Sequence, residues 1–106
     1  MTEAEFQNQI IKYAQLKGWE VMHVRKATQG AKGRNRARWV TPTSVRGWPD
    51  LTLWHPKRGG MLFIEVKSDK GRVSPEQKAV LASLTDAGQY AVFAKPKMWE
   101  ELKNLL

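Results

Sequence analysis

Asp50, Glu65 and Lys67 interrupt two apolar stretches of a chain of 106 residues. Asp50 follows Pro49 and opens Asp50-Leu51-Thr52-Leu53-Trp54, while Glu65 and Lys67 close Met61-Leu62-Phe63-Ile64-Glu65-Val66-Lys67. Both stretches read as β-strands, so Glu65 and Lys67 share one face and Val66 points to the other. Residues 55–60 read as the turn between them. With Trp54 facing Met61, Leu53 meets Leu62 and Asp50 meets Glu65, with Cβ atoms ~4.5–5.5 Å apart. Two adjoining carboxylates repel unless a cation joins them. A hard divalent cation such as Mg²⁺ takes oxygen ligands and needs only one or two carboxylates. The carbonyl of Val66, between Glu65 and Lys67, would add another oxygen. Lys67 would hold or deprotonate the attacking water, or stabilise negative charge on a phosphoryl group. The set points to metal-assisted phosphodiester hydrolysis. A cross-strand ion pair of Lys67 with Asp50 or Glu65 at a sheet edge accounts for the same residues without chemistry.

The elements that must position these residues follow from periodicity. Phe6, Ile10, Tyr13, Ala14 and Lys17 recur at helical spacing from Thr2 to Lys17, with Ile11 and Leu16 widening the face. Thr2 and Glu5 form a capping-box pattern, and Gly18 stops the helix. Trp19 to Val24 reads as a strand, Trp39-Val40-Thr41 as a short one. The run Met61 to Ile64 is apolar on both faces, which suits a central strand. Ser74-Pro75-Glu76-Gln77 opens a helix with Ser74 as N-cap, Pro75 at the first position and Gln77 as box partner. That helix ends near Ala87 and Gly88, Tyr90 to Ala94 follows as a strand, and Pro96 starts a short helix with Trp99, Leu102, Leu105 and Leu106 on its apolar side. The order α-β-β-β-α-β-α predicts an α/β (α+β) fold, a mixed sheet flanked by helices, in a single domain over 1–106.

Lysine plus arginine total 18 and aspartate plus glutamate 10, a net charge of +8. Val21 to Pro49 contains no acid and seven cations: Arg25, Lys26, Lys32, Arg34, Arg36, Arg38 and Arg46. The rest of the chain carries eleven cations against ten acids. Nearly all the excess therefore sits in one Gly- and Asn-containing segment at about 25–46. It reads as a loop whose cations contact nucleic-acid phosphates by releasing condensed counterions, or as a solvated loop that aids solubility. No cysteine is present, which excludes disulfides, thiol catalysis and cysteine-ligated zinc. No apolar run approaches the ~18–20 residues of a membrane span. The N-terminus lacks a signal-peptide pattern, so a cytoplasmic protein is expected.

Pro49-Asp50 followed by Glu65-Val66-Lys67, with fourteen residues between the acids, resembles the PD-(D/E)xK nuclease motif. Gly47-Trp48-Pro49-Asp50-Leu51, Glu65-Val66-Lys67 and Ser74-Pro75-Glu76-Gln77 together resemble the VRR-NUC (virus-type replication–repair nuclease) family. Glu3-Ala4-Glu5-Phe6-Gln7 and Gly18-Trp19 are similar to that family's opening. The resemblance covers almost the whole chain. It implies a restriction-endonuclease-like core and a Mg²⁺- or Mn²⁺-dependent cut in DNA, in a family found as stand-alone phage proteins and fused to repair enzymes. It implies Asp50 and Glu65 as metal ligands with the Val66 carbonyl, and Lys67 as the catalytic lysine. The family also carries an acid on the first helix, matched by Glu3 with Glu5 as the alternative; both also suit the macrodipole. Gln77 matches an active-site glutamine. The capping box claims the same side chain, and both roles hold only if different atoms serve them.

His23 ends a strand and is expected at the surface or in a hydrogen bond, and His55 is expected to be solvated in its turn. Trp19, Trp54 and Trp99 read as core or interface. Trp39 and Trp48 flank the basic segment and Asp50, and either pack in the core or stack on an unpaired base. The expected function is an endonuclease for branched DNA, such as a Holliday-junction resolvase of phage or prophage replication and repair. A homodimer is expected, because two strands must be cut. The alternative is a basic nucleic-acid-binding protein without catalysis, which explains the charge but not the convergence of Asp50, Glu65 and Lys67.

Overall fold

A computed structural model describes residues 1–24 and 45–106. Helix α1 spans Glu3–Leu16 and begins with the expected reciprocal cap. The Thr2 N–H donates to Glu5 Oε1 at 2.7 Å, and the Glu5 N–H donates to Thr2 Oγ1 at 3.0 Å. The backbone bond from Thr2 holds the Glu5 carboxyl below its usual range, because it favours the charged form. Gly18, at φ +97°, ends the helix in a conformation that L side chains avoid.

The other elements are β1 (Glu20–His23), β2 (Leu51–Trp54), β3 (Met61–Val66), α2 (Pro75–Asp86), β4 (Tyr90–Ala94), a 3₁₀ turn (Pro96–Met98) and α3 (Trp99–Leu105). They build one sheet in the order β1-β2-β3-β4. β1, β2 and β3 pair antiparallel, whereas β3 and β4 are parallel, with α2 as the crossover such a pair requires. The predicted mixed sheet and element order are therefore observed. The C-terminal helix differs in its first turn: Pro96 opens a 3₁₀ turn, and α3 begins at Trp99.

Strand alternation divides the sheet into two faces. Leu51, Leu53, Leu62, Ile64 and Val66 pack with Phe6, Ile10 and Ala14 of α1 and Leu102 of α3 in the buried core. The other face carries Asp50, Phe63 and Glu65 and is covered in part by α2, the helix to which Glu65 is hydrogen-bonded. β3 is central, and its residues 62–66 are all buried, as its two-sided apolar pattern predicts. α1 presents a narrower face than its periodicity suggests. Ile11 and Tyr13 flank the core, but Leu16 is 81% exposed, because it lies off the Phe6–Ile10–Ala14 stripe. The expected strand at Trp39–Thr41 lies outside the described residues. Among the described residues no helix is long and apolar enough to cross a membrane.

His55 is buried rather than solvated. The Arg58 N–H donates to its Nδ1 at 2.9 Å, and its Nε2 lies 2.9 Å from the Lys17 carbonyl oxygen. Since a carbonyl only accepts, the ring is neutral with its hydrogen on Nε2. Its edge packs against Trp19 at 5.3 Å between centroids. A Cβ on residue 18 would sit 2.9 Å from Nε2, so Gly18 answers to this close approach as well as to its φ. The ring thus pins the β2–β3 turn to the end of α1. Replacing His55 with alanine leaves a part-buried donor and acceptor without this partner. A loss of ~1–3 kcal/mol is expected in urea unfolding. A loss below ~0.5 kcal/mol would mean that water replaces the ring at both groups.

Candidate active site

The β2–β3 register is the predicted one, with Trp54 opposite Met61 and Leu51 opposite Ile64. Continued by one residue, it sets Asp50 against Glu65. Asp50 lies just before β2, where the backbone ladder has ended, and its side chain adds a rung. The Val66 N–H donates to Asp50 Oδ2 at 2.8 Å. On the other side, the Val24 N–H donates to the Asp50 carbonyl at 2.8 Å, so three consecutive strands meet at this residue. Asp50 is 7% exposed and Glu65 1% exposed.

Glu65 receives two partners from its own face of the sheet. Lys67 Nζ lies 3.4 Å from Glu65 Oε2, as the two-residue spacing on one strand allows. Gln77 Nε2 donates to the same oxygen at 2.8 Å. The other end of that amide closes the α2 cap. The Ser74 N–H donates to Gln77 Oε1 at 2.8 Å, and the Gln77 N–H donates to Ser74 Oγ at 3.1 Å. Capping and contact with the acid are therefore made together, by different atoms.

Gly47 sets how closely the chain before Asp50 approaches α2. At φ +89° its missing Cβ would lie 2.6 Å from the Glu76 carbonyl carbon and 2.8 Å from the Gln77 nitrogen. No side chain fits there without moving the first turn of α2. Trp48 packs edge-on against Phe63 at 5.7 Å, so it braces the sheet face beside Glu65.

The remaining expected residues are placed as follows. Glu3 and Glu5 lie exposed on the first turn of α1, whose buried stripe packs on the opposite face of the sheet, and Glu5 is engaged by Thr2. His23 ends β1 and lies 3.0 Å from Gln7 Nε2 through its Nε2. Arg46 is exposed, four residues before Asp50. Arg25, Lys26, Lys32, Arg34, Arg36, Arg38 and Trp39 lie outside the described residues. Trp48 as a brace and Gly47 as a spacer are roles that residue type alone did not specify.

The donor set suits a hard cation. Two buried carboxylates lie at the ends of adjacent strands and offer oxygen only. Among the described residues no group of three His, Cys, Asp or Glu is placed to hold a metal. A cation here would complete its shell with backbone, water or substrate oxygens, which is usual for Mg²⁺.

The fold is a mixed four-stranded sheet flanked by helices, with an acid pair at one end. A solved VRR-NUC domain protein shares the fold, with a TM-score of 0.57 and 22% identity over 90% of this chain and 78% of that one. The VRR-NUC domain profile matches residues 3–96. The chain belongs to the VRR-NUC family of nuclease domains. It is also 42% identical over 45 residues to the Fanconi-associated nuclease 1 homologs of Caenorhabditis elegans and Caenorhabditis briggsae. Those matches cover 42% of this chain and 5% of each relative.

The two ends of Gln77 can be separated by substitution. Gln77→Glu keeps a residue suited to the cap but sets a second carboxylate against Glu65. Its folded-state pKa is then raised, so stability is lost as pH rises. Thermal unfolding of this variant should approach wild type near pH ~4, below the ordinary glutamate pKa, and fall behind it by ~1–3 kcal/mol at pH ~8. Gln77→Ala should lose ~1–3 kcal/mol at both pH values. Equal, pH-independent losses in the two variants would show that the bond to Glu65 contributes nothing.

Proposed function

We propose that this chain is a divalent-metal-dependent endonuclease acting on branched or otherwise structured DNA. The observation that carries the reading is the buried pair Asp50 and Glu65, held in register with Lys67 3.4 Å from Glu65. The expected ligands are Asp50, Glu65 and the Val66 carbonyl, with Mg²⁺ or Mn²⁺ as the cation. Extended residues direct N–H and C=O to the same side, and the Val66 N–H already points at Asp50. Bound there, the cation supplies charge stabilisation to the phosphoryl group.

The chain's own residues do the rest. Gln77 fixes the Glu65 carboxylate through its amide, and the Val66 N–H fixes Asp50. Lys67 stands where its ammonium can orient the attacking water or meet the growing negative charge. The water gives a proton to solvent as its oxygen bonds to phosphorus, the bond from phosphorus to one sugar oxygen breaks, and that oxygen takes a proton from solvent. Glu3, exposed on α1, is the acid on that helix that the cap does not use. The seven cations between residues 25 and 46 are the proposed DNA-contacting arm, ending at Arg46 beside Asp50. The match to Fanconi-associated nuclease homologs and the resemblance to phage proteins support a role in DNA replication or repair, with a Holliday junction as the leading substrate.

Asp50→Ala and Lys67→Ala should each lower cleavage by ~100-fold or more while leaving DNA binding within a few-fold. Mn²⁺ should raise the melting temperature of the wild type and not of Asp50→Ala. If neither Mg²⁺ nor Mn²⁺ supports cutting of any duplex, flap, single strand or four-way junction, the non-catalytic DNA-binding reading stands instead.

A homodimer is part of the proposal. β4 is the outer strand of the sheet, with Tyr90 57% and Phe93 40% exposed. Beside it runs an open apolar groove lined by Leu81, Ala82, Ala91 and Phe93, with Lys78 and Asp86 also on its wall. Those two charges are equidistant from Ala82 along α2, so a two-fold axis passing at Ala82 would set Lys78 of one chain against Asp86 of the other. Lys78→Asp should weaken a dimer in sedimentation, and adding Asp86→Lys should restore it. A wild type that is monomeric both alone and on DNA would exclude the dimer.

A further inference from the structure

The sequence assigns the DNA-binding charge to one segment, and the fold assembles a second. Because β3 and β4 are parallel, the loops that follow them leave the same end of the sheet. The Lys67 N–H donates to the Ala94 carbonyl at 3.0 Å, and the Lys97 N–H donates to Asp69 Oδ1 at 2.9 Å. These bonds hold residues 67–72 against residues 95–97. Together the two loops contain Lys67, Lys70, Arg72, Lys95 and Lys97 and a single acid, Asp69. Asp69 is itself engaged as the tie between the loops. Lys70, Arg72 and Lys97 are exposed and Lys95 is half-buried. Twenty-six residues separate Lys70 from Lys97, so sequence proximity does not reveal the cluster.

This is the end of the sheet at which Glu65 and Asp50 lie. Glu65 is in the last two residues of β3, and Asp50 precedes β2. In chain order the segment 25–46 falls between β1 and β2, and the new cluster follows β3 and β4. β3 and β4 are neighbouring strands, ~4.8 Å apart, so the loops that follow them adjoin the end of β3 that carries Glu65.

We propose that the loops 68–72 and 95–97 form a second phosphate-binding flank, so that DNA lies across the ends of the strands from β1 to β4. Lys70, Arg72, Lys95 and Lys97 bind the backbone on the β4 side of the cut. The proposal rests on reading Asp50 and Glu65 as the cleavage centre, and its test separates the two ideas by measuring binding alone.

Binding of a short labelled duplex is measured in chelator, across a salt series, in an Asp50→Ala background. Two pairs of substitutions remove equal charge. Lys70→Gln/Arg72→Gln alters the flank, whereas Lys12→Gln/Lys57→Gln alters exposed lysines on α1 and on the turn at the opposite end of the sheet. Each phosphate contact contributes about 0.9 to the slope of log K against log salt. The flank pair should lower that slope by about 2 and weaken binding roughly tenfold at low salt. The control pair should leave the slope unchanged. Equal losses in the two pairs would reduce the effect to net charge, and no loss in the flank pair would remove these residues from the interface. Either result overturns the flank while leaving the cleavage centre standing. A wild type that shows the flank effect but cuts nothing with Mn²⁺ would instead sink the nuclease reading.

Discussion

The register of the β2–β3 hairpin governs everything placed on it. Strand side chains alternate, so a slip of one residue would turn Leu62, Ile64 and Val66 out of the core and drive Met61, Phe63 and Glu65 into it. With Trp54 opposite Met61, the leucines and isoleucine of both strands pack under α1, and Asp50 and Glu65 emerge together on the other face. Core burial and the pairing of two carboxylates are thus consequences of one alignment. The turn that joins these strands is anchored from outside the hairpin, by His55 against Lys17 and Trp19.

A second dependence runs through the amide of Gln77. Its oxygen completes a helix cap, which has a local role in almost any helix, and its nitrogen reaches Glu65. Gly47 and Trp48 set the spacing on which this depends, the first by having no side chain against the turn at Glu76 and the second by packing on Phe63. The stretch Gly47 to Leu51 is therefore more than a carrier of Asp50. It brings the first turn of α2 and the end of the central strand within one hydrogen bond of each other.

Much of this was legible in the residues because the signals were local. The caps at Thr2 and Ser74, the alternation in β3 and the turn at residues 55–60 each declare themselves within a few positions. The two uses of Gln77 could be named but not reconciled, since only the side-chain geometry shows each end of the amide engaged. His55 was misread because a histidine between strand and proline looks solvated until α1 is laid beside it. Leu16 was misread for the opposite reason, since helical spacing counts apolar residues and does not say where the neighbouring helix or sheet ends. The cations of residues 67–72 and 95–97 were invisible as a group, because only the parallel pairing of β3 and β4 makes them neighbours.

The coupling of the α2 cap to Glu65 also bears on how the chain matures. Both ends of the amide are engaged only where α2 is formed and docked, so the orientation of Glu65 is conditional on that helix. The hairpin alone sets Asp50 opposite Glu65, but the bond that orients Glu65 needs α2 in place. A nascent or partly unfolded copy would then carry the right residues in an unordered arrangement.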